Sequence, residues 1–421
     1  VPARALRFAF YSFTLAQVVS LLGDRLNQFS VVGMIGRINA GDAVELFQLA
    51  MFSYLPTLLA PLFAGVIDRA NKAMVLVVVD ALRGAVVLLI PALFDIMGNL
   101  YAFYVPVFVL TLANLWFSPA KSAVIPEIFG EKYLLQINAV LWGLGIVGTM
   151  AGFLLGGWLF DFHSWRLSFY CDGASYGMSV VLMLPLLAAS RRRNGSARAA
   201  IRADVRAISR TRRLRALPYR VVQSLVGSLR DGLGVIRDNR PVRHGLAFQT
   251  MLFAALGMLY VLGIARVQSV FPPDKTIYLS IVATAGTVGL LAGSALATAL
   301  RRWFTIRPII IQSTVIFAAS AIGIARTESL APMSLWAGVM GLSVSPLFIL
   351  TETLLQVATP QAFRGRVFSA REILTKSSFL AFSLVATAGA AVFSKEMMLV
   401  GVGVLLAGLA VLLASRDFLN A

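Results

Sequence analysis

Residues 191–243 read RRRNGSARAAIRADVRAISRTRRLRALPYRVVQSLVGSLRDGLGVIRDNRPVR. Fifteen arginines stand there against three acids, Asp204, Asp231 and Asp238, which leaves +12 of the chain's net +18 in this one stretch. On either side the sequence changes character. Long apolar segments run at about 8–36, 44–67, 73–94, 101–125, 134–160 and 167–190 before it, and at about 244–270, 276–300, 307–326, 330–357, 366–393 and 395–415 after it. Each is long enough for the roughly 20 helical residues that cross a bilayer core. They are uninterrupted, whereas barrel strands are short and alternate apolar with polar. The predicted fold is an all-α membrane protein of twelve transmembrane helices in two six-helix halves. Residues 1–190 form the N-terminal half and 244–421 the C-terminal half, joined by the basic linker 191–243.

Composition agrees. The 421 residues are 58% hydrophobic and only 13% charged, with mean hydropathy +0.82. A soluble chain carries roughly 25% charged residues, so most of this one cannot face water. A single cysteine, Cys171, excludes an internal disulfide and a thiolate metal site. His163 and His244 stand far apart without a ligand cluster, against zinc hydrolases and histidine-based triads. No G-x-x-x-x-G-K-S/T loop is present for ATP. No cofactor is expected, and an enzyme is not the reading.

Lys and Arg set the orientation. With the N-terminus inside, the inner loops and tails hold 28 of them and the outer loops six: Arg37, Arg166, Arg266, Lys275, Arg326 and Lys395. Both termini are therefore expected in the cytoplasm, with the chain in a bacterial inner membrane. Arg4 and Arg7 precede the first apolar run as they would in a secretory signal. That run is about twice the length of a signal's core and carries Asp24-Arg25 at its middle, so it is expected to remain as a span. Within the linker, Val221, Leu225, Leu229 and Leu233 recur at helical spacing over 217–236. This predicts an amphipathic helix on the inner membrane surface, its arginines near anionic headgroups. A solvated linker obeying the positive-inside rule is the plainer alternative. The linker has a single aromatic, Tyr219, and so lacks the repeated interleaved aromatics that stack nucleic-acid bases.

Two halves joined by a long inner loop are a common plan among secondary transporters, with the substrate cavity between the halves. The motifs narrow this further. Asp68-Arg69-Ala70-Asn71-Lys72 after the second span resembles the Asp-Arg-x-Gly/Asn-Arg/Lys signature of the major facilitator superfamily. Phe117-Ser118-Pro119-Ala120-Lys121, Ile125-Pro126-Glu127, Leu134-Leu135-Gln136-Ile137-Asn138-Ala139 and Asp172-Gly173-Ala174-Ser175-Tyr176 are similar to its macrolide-efflux-like and enterobactin-exporter-like branch. Leu355-Gln356 and Arg364-Gly365-Arg366-Val367 fit the same branch. Gly23-Asp24 together with Ser118-Pro119-Ala120-Lys121 also resembles bacterial lysophospholipid transporters, although Arg25 stands where those carry asparagine. The resemblance implies an inner-surface gate in which Asp68 meets the start of the eleventh span, with Arg69, Lys72, Arg364 and Arg366 around it.

Ionisable groups at bilayer depth cost at least about 2.5–3.5 kcal/mol each, so each needs a partner or a task. Asp24 lies mid-span with Asn27 and Gln28 three and four residues on, on one helical face. The stripe is a candidate substrate or proton site; the competing account is a structural pair of Asp24 with Arg25 or another helix. Glu352, one turn before Gln356, has no basic neighbour in sequence and is the other candidate proton carrier; otherwise it makes an inner-gate hydrogen bond. Glu372 and Lys376 pair at i,i+4, or Lys376 meets an anionic headgroup. Asp80 and Arg83 pair within the third span, and Asp172 is expected to pack between helices.

Three functions remain open. The first is proton-coupled export of an amphipathic or cationic small molecule by alternating access. The second is movement of a lysophospholipid between leaflets, with Lys121 or Lys376 on its phosphate. The third is a transporter-like sensor or enzyme without transport. The expected partners are the small-molecule or lipid substrate, protons and anionic lipids at the linker, with no nucleic acid and a monomeric chain.

Overall fold

A computed structural model describes residues 3–39, 41–59, 71–129, 134–194, 234, 236–360 and 363–415. Among them the chain forms helices α1 (Ala3–Ile38), α2 (Ala43–Tyr54, running into a 3-10 turn over Leu55–Leu59), α3 (Lys72–Met97), α4 (Tyr101–Phe129), α5 (Leu134–Phe162) and α6 (Trp165–Asn194). After the basic linker come α7 (Arg240–Val270), α8 (Ile277–Leu300), α9 (Ile306–Arg326), α10 (Leu330–Ala358), α11 (Arg364–Ala390) and α12 (Lys395–Ser415). No strand occurs among the described residues. The protein is an all-α integral membrane protein.

Nine of these helices, α3 to α11, are long and apolar enough among the described residues to cross a membrane, against the twelve spans expected. The described apolar stretch Ala43–Leu59 holds seventeen residues, under the roughly 20 of a crossing. Helix α1 is diluted by Asp24, Arg25 and Arg37. Large apolar side chains face outwards, among them Ile96, Leu335, Leu405 and Val411, each at least 66% exposed, as lipid contact requires. The amphipathic helix expected over 217–236 falls almost wholly outside the described residues.

Helix ends follow local chemistry. Asn71 caps α3, its side-chain oxygen accepting from Met74 N at 3.1 Å. Gly98 closes the same helix at φ 63°, a left-handed position that favours glycine. Asn239 caps α7 by accepting from Val242 N at 3.2 Å, with Pro241 in the first turn, where its missing N–H costs nothing.

The chain divides into two compact units. The first comprises residues 1–27, 59–152 and 166–227. Its core packs Phe13 of α1, Leu76 and Val79 of α3, Phe117 and Val124 of α4, and Met183 and Leu186 of α6.

The second unit comprises residues 28–58, 153–165 and 228–421. Here α8 packs on α10, α7 on α11, and α9 on α10 and α12. The α8–α10 contact is a seam of small residues. A Cβ at Gly289 would collide with the Gly338 carbonyl, and one at Gly341 with the Gly286 carbonyl. Membrane helices associate through such close approach, because lipid supplies no hydrophobic drive between them. The end of α1 and the whole of α2 belong to this unit: Gln268 Nε2 donates to Val32 O at 3.1 Å, and Thr387 Oγ1 to Ala43 O at 3.2 Å. Asp161 of α5 accepts from Thr276 N and Ile277 N, both at 2.8 Å, and so caps α8 from another helix. A carboxylate suits the positive end of the helix dipole.

Candidate functional site

In the first unit, α1 and α6 are joined by a two-rung polar ladder. Asp24 and Asn27 share one face of α1; Asp172 and Tyr176, four residues apart, share one face of α6. Tyr176 Oη donates to Asp24 Oδ1, and Asn27 Nδ2 donates to Asp172 Oδ2 at 2.9 Å. Gly23 makes this approach possible: a Cβ there would run into the Ser175 and Asp172 side chains. Asp172 is fully buried, and Asn27 is 5% exposed.

Helix α3 adds a second network. Arg83 pairs with Asp80 Oδ1 at 3.3 Å, donates to Asn114 Oδ1 of α4 at 2.8 Å, and lies 4.4 Å over the Phe117 ring. The other Asp80 oxygen accepts from Ser179 Oγ of α6 at 2.6 Å. Between these groups opens a cavity of about 400 Å³, lined by Gln17, Val18, Ser20, Leu21, Asp24, Arg25, Arg83, Asn114, Phe117, Ser118, Lys121 and Gly145. Three cations thus face one carboxylate across a wall with apolar faces at Leu21 and Phe117. The polar stripe expected on α1 is divided among three surroundings: Asp24 lines the cavity, Asn27 is buried on Asp172, and Gln28 is exposed.

In the second unit the polar centre is Glu352 on α10. Arg371 of α11 pairs with its Oε2, Gln249 of α7 donates to the same oxygen at 3.3 Å, and Gln356 donates to Oε1 at 3.3 Å. Arg371 also reaches Glu372 at 3.3 Å, and Glu372 meets Lys376 at 3.7 Å. The Lys376 ammonium lies 4.9 Å from the Tyr54 ring centroid and 5.3 Å from that of Phe253, an aromatic cradle for the cation. Glu352 therefore has a cationic partner in space, although none is near it in sequence.

Of the expected gating residues, Asp68 and Arg69 lie outside the described residues. Lys72 opens α3 and is half-buried. Arg364 is exposed and its Nε donates to Thr359 O at 3.4 Å; the Arg366 guanidinium lies 5.6 Å from the Phe363 ring. Tyr176, Asn114, Gln249 and Arg371 join the networks without having been singled out for them. Only Tyr176 had a signal, as the last residue of the Asp172–Tyr176 motif. Among the described residues no three His, Cys, Asp or Glu side chains gather as a metal site.

The Major Facilitator Superfamily profile matches residues 8–383. Lysophospholipid transporters LplT of Cronobacter sakazakii and Pectobacterium carotovorum are 28% and 27% identical over 179 residues, 42% of this chain in each case. The match spans 43% and 42% of their own lengths, less than half. Among solved structures, nucleoside transporter NupG superposes with TM-score 0.67 at 12% identity, covering 98% of each chain. A POT family transporter in complex with 5-aminolevulinic acid gives 0.67 at 11% identity over 98% of this chain and 96% of its own. At such identities these structures speak for the fold alone. The profile covers most of the sequence, and the chain belongs to the major facilitator superfamily of membrane transporters.

Proposed function

We propose that this transporter moves an amphipath with an anionic or zwitterionic headgroup, a lysophospholipid in the first instance, between the two sides of the inner membrane. The observation that carries the reading is the charge of the unit 1 cavity. Arg25, Arg83 and Lys121 outnumber Asp24 there, beside apolar wall at Leu21 and Phe117. Such a wall suits a phosphate, which arginine binds through its planar fork and lysine as a point charge. A lipophilic cation would meet more positive than negative charge, since with Arg83 paired to Asp80 the wall still sets Arg25 and Lys121 against Asp24. The partial likeness to lysophospholipid transporters supports the same choice. Lys121 is assigned to the phosphate and Asp24 to an amine on the same headgroup.

Alternating access between the halves 1–190 and 244–421 is the proposed mode. The inner gate is assigned to Asp68, Arg69, Lys72, Arg364 and Arg366, and both termini to the cytoplasm. The basic linker is assigned to anionic lipid at the inner surface. The acting unit is proposed to be the monomer, with no chemistry done on the cargo.

One observation favours a second reading, proton-coupled efflux. Asp24 faces the cavity while hydrogen-bonded to Tyr176, so a proton taken up there would alter the bond that joins α1 to α6. A proteoliposome assay separates the two. It compares a labelled lysophosphatidylethanolamine with a lipophilic cation, each with and without a pH gradient. Lipid movement that Lys121→Gln slows and that needs no gradient supports the first reading. Cation export that requires the gradient and is abolished by Asp24→Asn replaces it with the second.

A further inference from the structure

The second unit holds another cavity, about 480 Å³ in volume, where the C-terminal ends of α7 and α9 meet the start of α12. It shares no residue with the unit 1 cavity and does not depend on what that cavity carries. Arg266 of α7 lines it. This arginine is only 7% exposed, pairs with Glu396 of α12, and donates through Nη2 to Thr327 O at 3.3 Å. Its Nε–H is buried with no partner among the described residues. An unmet arginine donor in a buried position costs free energy unless something accepts from it. Arg326 and Glu328 line the same cavity and are exposed, and neither has a hydrogen-bond or ion-pair partner among the described residues.

Two cations and two acids thus surround one hollow, with one charge of each sign already committed between Arg266 and Glu396. What remains is a free guanidinium, a free carboxylate and one orphaned N–H donor. An anion alone would face two carboxylates, and a cation alone two guanidiniums. A ligand carrying both charges on one short frame satisfies the two exposed groups, Arg326 and Glu328.

The surface beyond the hollow is apolar. Met397 lines the cavity, and Val404 and Val411 follow it at intervals of seven residues, two helical turns each, on one face of α12. They are 62%, 59% and 68% exposed. The strip runs about 21 Å at 1.5 Å per residue, longer than the ~15 Å half-thickness of a bilayer core. A hydrocarbon chain anchored at the hollow has an exposed apolar strip to lie on.

We propose that this cavity is a binding site for the headgroup of a zwitterionic phospholipid. The phosphate sits against Arg326 on the side of the hollow that Arg266 lines, the ammonium against Glu328, and an acyl chain lies along Met397, Val404 and Val411. In the orientation predicted from the basic residues this is the outer leaflet. Basic pockets between membrane helices hold lipid headgroups by the same chemistry.

Native mass spectrometry of the purified full chain, titrated with phosphatidylethanolamine or phosphatidylglycerol, tests the site without requiring transport. Arg326→Gln should lower retention of both lipids about tenfold, the loss of one charge-assisted phosphate contact. Glu328→Gln should lower phosphatidylethanolamine alone and leave phosphatidylglycerol unchanged or better retained. Both residues are exposed, so neither variant threatens folding, and a monodisperse elution profile checks this. Wild-type retention of phosphatidylethanolamine by either variant overturns the proposal. So does an equal effect of Glu328→Gln on the two lipids. Displacement by soluble phosphoethanolamine at the potency of the lipid itself would assign the hollow to a water-borne ligand instead.

Discussion

Arg371 of α11 and Gln249 of α7 both donate to one oxygen of Glu352, which stands on α10. One carboxylate thereby ties three helices of the second unit. Arg371 has a second acid, Glu372 at 3.3 Å, to fall back on, while Glu352 has no second cation among the contacts described. The pair is therefore asymmetric. Arg371→Gln should destabilise more than Glu352→Gln, because it leaves a partly buried carboxylate without its cation. The Arg371 and Glu352 side chains are 21% and 33% exposed, so solvent screens the pair and the effect is on the order of 1–2 kcal/mol rather than the larger values of fully buried pairs. A double-mutant cycle read by thermal unfolding in detergent should be non-additive. Additive losses would show that the two side chains do not act on each other.

What the sequence makes legible here is what helical periodicity can reach. The Asp80–Arg83 and Glu372–Lys376 pairs are three and four residues apart and are present at 3.3 Å and 3.7 Å. Arg371 stands nineteen residues from Glu352, on the next helix. Nothing in a single sequence gives the rotation of α11 that turns it onto α10. The same holds for Asn27–Asp172 and Asp24–Tyr176, separated by 145 and 152 residues. Apolar length and charge sidedness are properties of a segment, so the helical class was readable. Partners across helices are properties of packing, and were not.

The α8–α10 seam predicts a sharp contrast among glycines. Gly289→Ala places a methyl group into the Gly338 carbonyl, a backbone atom that cannot swing aside. The helices must part, and the loss is expected at about 2–3 kcal/mol, the range of overpacking. Gly401→Ala on α12, where a Cβ meets nothing within 4 Å, should be neutral or slightly stabilising through helix propensity. Fluorescence-detected gel filtration of heated samples compares the two. Equal melting of both variants would show that the α8–α10 approach is looser than described.

The ladder between α1 and α6 predicts an order of severity. Asn27→Ala removes the amide donor from Asp172, a carboxylate with no exposure whose other side-chain donor among the described residues, Ser175 Oγ, is 3.4 Å from Oδ1 and 2.7 Å from the Asp172 carbonyl. An abandoned buried acceptor costs about 1–3 kcal/mol. Adding Asp172→Leu removes the acceptor as well and should recover part of that loss. Melting temperatures of Asn27→Ala and of the double variant measure it. A double variant no more stable than Asn27→Ala would show that the carboxylate is not what suffers.

Arg83 is the residue whose chemistry the unit 1 cavity can least replace. Its guanidinium bonds Asp80 and Asn114 in two directions and covers the Phe117 ring at 4.4 Å, all while 5% exposed. Lysine keeps the charge but offers a point ammonium without a plane, so it cannot bridge both partners and cover the ring together. Arg83→Lys is therefore expected to leave a folded protein whose transport falls by tenfold or more, about 1.4 kcal/mol or more in the rate-limiting free energy. Lys121→Gln touches a cation that lines the cavity without such a frame, and it should raise the half-saturating substrate concentration with less effect on the maximal rate. Proteoliposome kinetics across substrate concentration separate the two patterns. If Arg83→Lys behaved like Lys121→Gln, the arginine would be one more positive charge on the wall. If it transported at the wild-type rate, the Asp80–Arg83–Asn114 frame would have no part in carrying the cargo.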